Sequence, residues 1–231
     1  MKGFQVRAWM LAIVAMVASA ACSTQPTYDF SRARRPSLVL VYDFRASPAS
    51  PFEDQKLIAQ GTKNFGSASP QARQAALGEI VRTEIRDKLI TGINAMGMTA
   101  QAGDPSEPAP AGAVLIRGDF SSGSPDNRLV RNIILFSKNR STVDTDVYVL
   151  GAVTQDNLRA LLHVLTNAET KPMPAVTKKG ETSATLDTYR PQIDELVNQT
   201  TNQALASIST YFANQGWISR SQVVFPSFAS R

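Results

Sequence analysis

Between residues 142 and 150 apolar and polar positions alternate with a period of two: Val143, Thr145, Val147 and Val149 share one face, and Thr142, Asp144, Asp146 and Tyr148 share the other. That is the pattern of a strand with one buried side. Two further β-branched runs precede it, at 113–118 and 129–136, with a Ser, Gly, Pro, Asp and Asn-rich turn at 121–127 between them. The stretch 112–150 therefore predicts a β-meander whose middle segment is bent or bulged. Residues 37–44 make another strand, and its nearly unbroken apolarity predicts a central place, covered on both faces or at its core end.

Helical spacing governs the segments on either side. Ser69 followed by Pro70 supplies an N-cap and a proline at the first helical position, and Leu77, Ile80, Val81, Ile85, Leu89, Ile93 and Met96 then recur at steps of three and four. This predicts a helix from 69 to 96 that packs on the sheet and turns Arg82, Arg86 and Lys88 to water. Gly97 is the left-handed stop and Met98 the apolar residue behind it. A second helix is predicted over 188–214, with Ile193, Leu196, Val197, Thr200, Ala204, Ile208, Tyr211 and Phe212 on one face and the same device, Gly216 then Trp217, at its end. Pro191 is expected in its first turn, where its missing N–H costs nothing. Residues 45–68 and 167–187 read as loops, and 104–110, with three prolines, as a linker. Residues 158–166 fit either a short helix capped by Asn157 or a strand.

Composition changes this picture at the N-terminus. At 231 residues, 43% hydrophobic and 19% charged, the chain suits one globular domain. Lys2 and Arg7 form a positive start, residues 9–17 an apolar run too short to span a bilayer, and residues 17–22 a small-residue cleavage region ending in Cys22. Residues 1–21 read as a signal peptide, 22–36 as a lipid-anchored tether and 37–231 as a single globular domain. Removing the signal takes Lys2 and Arg7 and no acid, so the formal charge falls from +5 to +3. Such a balance suits an envelope surface and is far from that of a nucleic-acid-binding protein.

The single cysteine of an exported chain cannot be an intrachain staple, and it stands where the export signal ends. Acylation of Cys22 at a lipobox is one reading. Ser19 occupies a place where lipoboxes usually carry an aliphatic residue, and cleavage after Ala20, leaving a free thiol, is the other. Ser23 rather than Asp follows the cysteine, which by resemblance to proteobacterial lipoproteins implies delivery to the outer membrane, with the domain facing the periplasm. Arg32, Arg34 and Arg35 near an acylated cysteine would each add about 1 kcal/mol of attraction to anionic head groups, or serve only as a solubilising cluster.

Candidate chemistry is sparse. His163 is the one histidine and lies in an apolar run, so it reads as a core or sheet-face residue; with Cys22 at the tether, Cys–His catalysis and a Cys/His zinc site are excluded. No nucleophile elbow, phosphate-binding loop or dinucleotide fingerprint is present. Asp144 and Asp146 share a strand face that solvation explains, since a calcium loop needs more ligands and a turn. Arg117, Gly118 and Asp119 spell an adhesion tripeptide at the end of a predicted strand. Arg128, Arg131, Lys138 and Arg140 have no acid between them, and together they could receive a phosphate or carboxylate partner or be solvated. No metal and no cofactor is expected.

At this same segment Gly123 and Ser124, Asn127 and Arg128, Arg131, Phe136, and Arg140 to Val143 running into a strand resemble the central motif of the bacterial lipoprotein family known as domain-of-unknown-function family 4410. Leu135, Ser137 and Asn139 stand where that family carries glycines. Element order extends the resemblance over most of residues 37–217. It implies that 158–166 is a strand, and it implies no activity. The expected fold is α/β (α+β), a two-layer sandwich with a mixed sheet of about five strands and two long helices on one face. Its order is similar to that of the amino-terminal domain of the Tol-Pal translocation protein and of the curli secretion lipoprotein, an analogy of fold alone. The expected function is that of a noncatalytic, lipid-anchored envelope protein that binds another envelope component. The alternative is a soluble periplasmic domain that binds a small molecule or glycan, with or without hydrolysis, which requires convergent carboxylates in a concave pocket.

Overall fold

The structure is a computed structural model that describes residues 34–45, 54–121, 142–154, 156–170 and 185–225. Five strands form one mixed sheet: β1 (Val39–Val41), β2 (Ala100–Ala102), β3 (Val114–Ser121), β4 (Thr142–Ala152) and β5 (Leu158–Glu169). Their spatial order is β2-β1-β3-β4-β5, with β1 parallel to both its neighbours and the pairs β3/β4 and β4/β5 antiparallel. Three helices accompany them: α1 (Gln55–Lys63), α2 (Pro70–Ala95) and α3 (Leu186–Asn214).

The alternation in β4 works as its period requires. Val143, Thr145, Val147 and Val149 are buried beneath the helices, while Asp144, Asp146 and Tyr148 are partly exposed on the opposite face. β1 is indeed internal and covered on both sides: Val39 and Val41 belong to the main core, and Leu40 and Tyr42 to a smaller cluster with Leu115 and Ala152. Residues 158–166 lie in a strand. The expected run at 129–136 lies outside the described residues, and the fifth strand is instead β2, three residues with no apolar pattern that pair with β1 directly after the turn at Gly97.

Both long helices pack on one face of the sheet. Leu77, Leu89 and Ile93 of α2 and Ile193, Leu196 and Ile208 of α3 enter one core with Val39, Ile116 and Val147. Ser69 caps α2 by accepting from the Ala72 N–H at 3.2 Å. Both helices end as expected: Gly97 has φ 80° and Gly216 φ 72°, with the Met98 N–H donating to Ile93 and the Trp217 N–H to Phe212. Arg35, at the edge of the tether, donates to the Gly97 carbonyl just past the end of α2.

Four expectations need correction. Arg82 is 8% exposed, not turned to water, and pairs with Glu79 one turn back. Arg86 and Lys88 are only partly exposed, because each reaches a neighbouring element: Arg86 meets Asp43 at 2.7 Å and Lys88 meets Asn198 at 2.6 Å. Part of the loop over 45–68 is the helix α1, nucleated by the Asp54 carboxylate accepting from the Lys56 and Leu57 N–H groups, with Ile58 packed on Ala75 of α2. Finally, α3 begins at Leu186, so Pro191 falls in the second turn, where it has no N–H to offer the Asp187 carbonyl. Ties to α2 and to its N-terminal approach hold that end: Arg190 meets Glu84 at 2.6 Å, and Tyr189 stacks edge-on against Phe65 at 5.9 Å.

Candidate functional site

The face of the sheet that carries no helix among the described residues holds a cluster of charged and aromatic side chains. Register pairs Arg117 with Tyr148, Tyr148 with His163, and Asp119 with Asp146, so these side chains stand in two adjacent rows across β3, β4 and β5. The first row holds two stacked pairs. The Arg117 guanidinium lies 4.8 Å from the centre of the Tyr42 ring, and the Tyr148 and His163 rings stack at 4.7 Å with 7° between their planes. The second row holds Asp119 and Asp146, a third holds Asp144 opposite Asn167, and each of these acids has a partner. Asp146 Oδ1 is 2.7 Å from His163 Nε2, Asp119 meets Arg45 at 3.4 Å, and Asp144 accepts from the Asn167 amide.

Burial, with the Asp146 and Asp119 charges behind it, pushes the Tyr148 phenol above its ordinary pKa. Tyr148 is thus a neutral hydroxyl at physiological pH and not a nucleophilic phenolate. His163 sits on the sheet face rather than in the core, about half exposed. The tripeptide Arg117-Gly118-Asp119 is no adhesion loop: it lies inside an eight-residue strand bonded on both sides, with Gly118 turned inward against Phe44. Among the described residues no three His, Cys, Asp or Glu side chains are grouped to hold a metal ion. Of the site residues expected from sequence, Cys22, Arg128, Arg131, Lys138 and Arg140 lie outside the described residues.

Sequence reasoning missed a second feature, at the free edge of the sheet. Among the described residues β5 is an edge strand, and two glutamines one turn apart on α3 cover its end at Asn167 and Glu169. The Gln203 amide accepts from the Asn167 N–H at 3.0 Å and donates to the Asn167 carbonyl at 2.7 Å; Gln199 does the same for Glu169, at 2.9 Å in both directions. Each side-chain amide stands in for a peptide group of an absent neighbouring strand. Backbone direction alternates along an antiparallel strand, so Leu165 and His163 point the same way as Asn167 and Glu169, away from β4. Among the described residues nothing meets their N–H and C=O groups.

Beside these open groups α3 carries small residues. Leu162, Ala206, Ser207, Thr210, Tyr211 and Asn214 line a shallow groove of about 420 Å³ between the edge and the helix. The signal in the sequence is only a pair of glutamines four apart, and their target some 30 residues earlier cannot be read from spacing.

Comparison with curated proteins finds no match. The model of the family described as "Domain of unknown function (DUF4410)" matches residues 39–186, from the first residue of β1 to the first residue of α3. The match covers well over half of the chain, and the chain belongs to this family.

Proposed function

We propose that the protein is a noncatalytic, lipid-anchored component of the bacterial envelope, held at the outer membrane through Cys22 with its domain in the periplasm, where it binds another envelope protein. The observation that carries the noncatalytic half of this reading is the mutual engagement of the polar groups on the helix-free face. Asp146 with His163, Asp119 with Arg45 and Asp144 with Asn167 each satisfy one another on an open surface. Hydrolysis of a glycan would instead call for two carboxylates converging across a concave cleft, one of them held protonated.

The anchoring half rests on the place of Cys22, directly behind the basic and apolar segments of an export signal. Cys22→Ser is expected to move the protein from the membrane fraction to the soluble or unprocessed one, because several buried acyl chains, at about 0.8 kcal/mol per CH₂, are lost together. Intact-mass measurement of the mature N-terminal peptide should show an acylated Cys22 as the first residue. An unmodified peptide beginning at Ala21 would end the lipoprotein reading.

A second experiment addresses catalysis and binding. Asp144→Asn and Asp146→Asn, each with unchanged melting, are expected to leave intact the phenotype that deletion of the protein produces, and the full chain should copurify with one envelope protein after crosslinking. Loss of the phenotype in either folded variant would overturn the noncatalytic reading; absence of any crosslinked partner would overturn the binding one.

A further inference from the structure

We propose that the uncovered half of β5, from Leu158 to Leu165, is a strand-addition site that takes an extended, acid-bearing segment of another polypeptide, laid in the groove beside Ala206, Ser207 and Thr210 of α3. The inference rests on the binding reading above and names the surface and the class of partner.

Three observations carry it. The His163 and Leu165 backbone groups face outward and find no partner among the described residues, while the equivalent groups of Asn167 and Glu169 are fully met by Gln203 and Gln199. An exposed strand edge of this kind is a template for one more strand, and among the described residues only its Asn167 and Glu169 end is covered. The groove then supplies what a backbone ladder lacks. Leu162 forms part of its floor and small side chains form its wall, giving room for alternate side chains of an incoming strand, while Leu165, 65% exposed, offers an apolar contact on the other face.

Charge and geometry select the occupant. Arg159 lies near the Tyr211 ring at one end of the groove and is exposed, and none of the groove-lining residues is acidic. An acid on the incoming segment is thereby favoured at that end. A second copy of this chain fits poorly. Residues 158–168 of β5 carry Arg159 and His163 and no carboxylate, so a second β5 edge laid against the first would bring no acid to Arg159. The glutamine pair works as a stop at the Asn167 end of the edge.

The test uses the full chain carrying Cys22→Ser, so that no lipid enters the measurement, and a capped synthetic heptapeptide that alternates Val with Thr and carries Asp at one end. Titration followed by amide NMR is expected to shift His163, Leu165 and the Ala206 to Thr210 side of α3, to slow hydrogen exchange at the His163 and Leu165 amides, and to leave Asn167 and Glu169 unmoved. Leu165→Pro removes an outward N–H without touching the ladder to β4, and should weaken binding roughly tenfold or more. Thr210→Trp fills the groove without altering the edge and should weaken it similarly, which keeps the proposal testable if the proline variant does not fold. N-methylation of the peptide at alternate amides should abolish binding, and exchange of its Asp for Lys should weaken it.

No shift at millimolar peptide, shifts confined to Tyr148 and the helix-free face, or equal binding of the N-methylated peptide would overturn the proposal. So would a dimer in solution that Leu165→Pro dissociates. A negative peptide result alongside an intact envelope crosslink removes this surface and leaves the binding reading standing.

Discussion

Leu89→Ala and Ile208→Ala are each expected to lower the free energy of unfolding by about 2–5 kcal/mol, because each deletes a fully enclosed side chain beneath a packed helix and leaves a cavity that the sheet cannot collapse to fill. Both residues are 0% exposed and enter the same core, Leu89 from α2 and Ile208 from α3. Lys88 is the internal control. It is adjacent to Leu89 in sequence, reaches the exposed Asn198 side chain at 2.6 Å, and its replacement by Ala should change stability by less than about 1 kcal/mol. Urea unfolding with an unchanged denaturant slope measures all three. If Lys88→Ala were as damaging as Leu89→Ala, the rotation of α2 about its axis would be wrong by a quarter turn or more.

The same helix shows where periodicity carries information and where it fails. Period-two alternation placed Val143 to Val149 correctly, and the three-and-four spacing of Leu77 to Met96 placed α2, because in both cases one face is buried along the whole element. Gly97 and Gly216 were legible as stops, since only a left-handed residue lets the following apolar side chain fold back on the last turn. Arg82 was not legible. A long stem with a charged tip can lie along an apolar stripe, and its pairing with Glu79 is a local choice that charge alone does not reveal. β2 escaped for a different reason: three residues, Ala100–Ala102, acquire strand structure by pairing with β1, and nothing in their own pattern asks for it.

The candidate sites divide in the same manner. Asp144 and Asp146 could be put on a solvent face from their own alternation, but the juxtaposition of Asp146 with Asp119 and the stack of Tyr148 on His163 depend on the registers of two antiparallel pairs. The glutamine cover of β5 depends on a contact between elements separated by a stretch of chain that includes residues 171–184, which lie outside the described residues. Local patterns specify faces; they do not specify which faces meet. The family match is compatible with this division, since it ends where α3 begins and leaves Gln199, Gln203 and the groove wall outside it.

Gly118→Ala is expected to cost about 3 kcal/mol or more, an unusually large penalty for one added methyl group. Gly118 lies in the middle of β3, with β4 on one side and, beyond the end of β1, Arg45 on the other, where the Gly118 carbonyl accepts from the Arg45 N–H at 2.8 Å. A Cβ built there would stand 2.1 Å from two atoms of the Phe44 ring. The strand is bonded along both edges and cannot withdraw, so the ring must move. Phe44 is itself 0% exposed, packed 5.9 Å from Phe120 within the main core, and has no vacant space to enter. The two positions should therefore couple strongly in a double-mutant cycle. Phe44→Ala alone should cost about 3–5 kcal/mol through the cavity it leaves, and Gly118→Ala added to it should cost little, because the new methyl group occupies part of that cavity. Equal cost of Gly118→Ala in the two backgrounds would mean that the glycine serves the backbone of β3 and not the seat of the Phe44 ring.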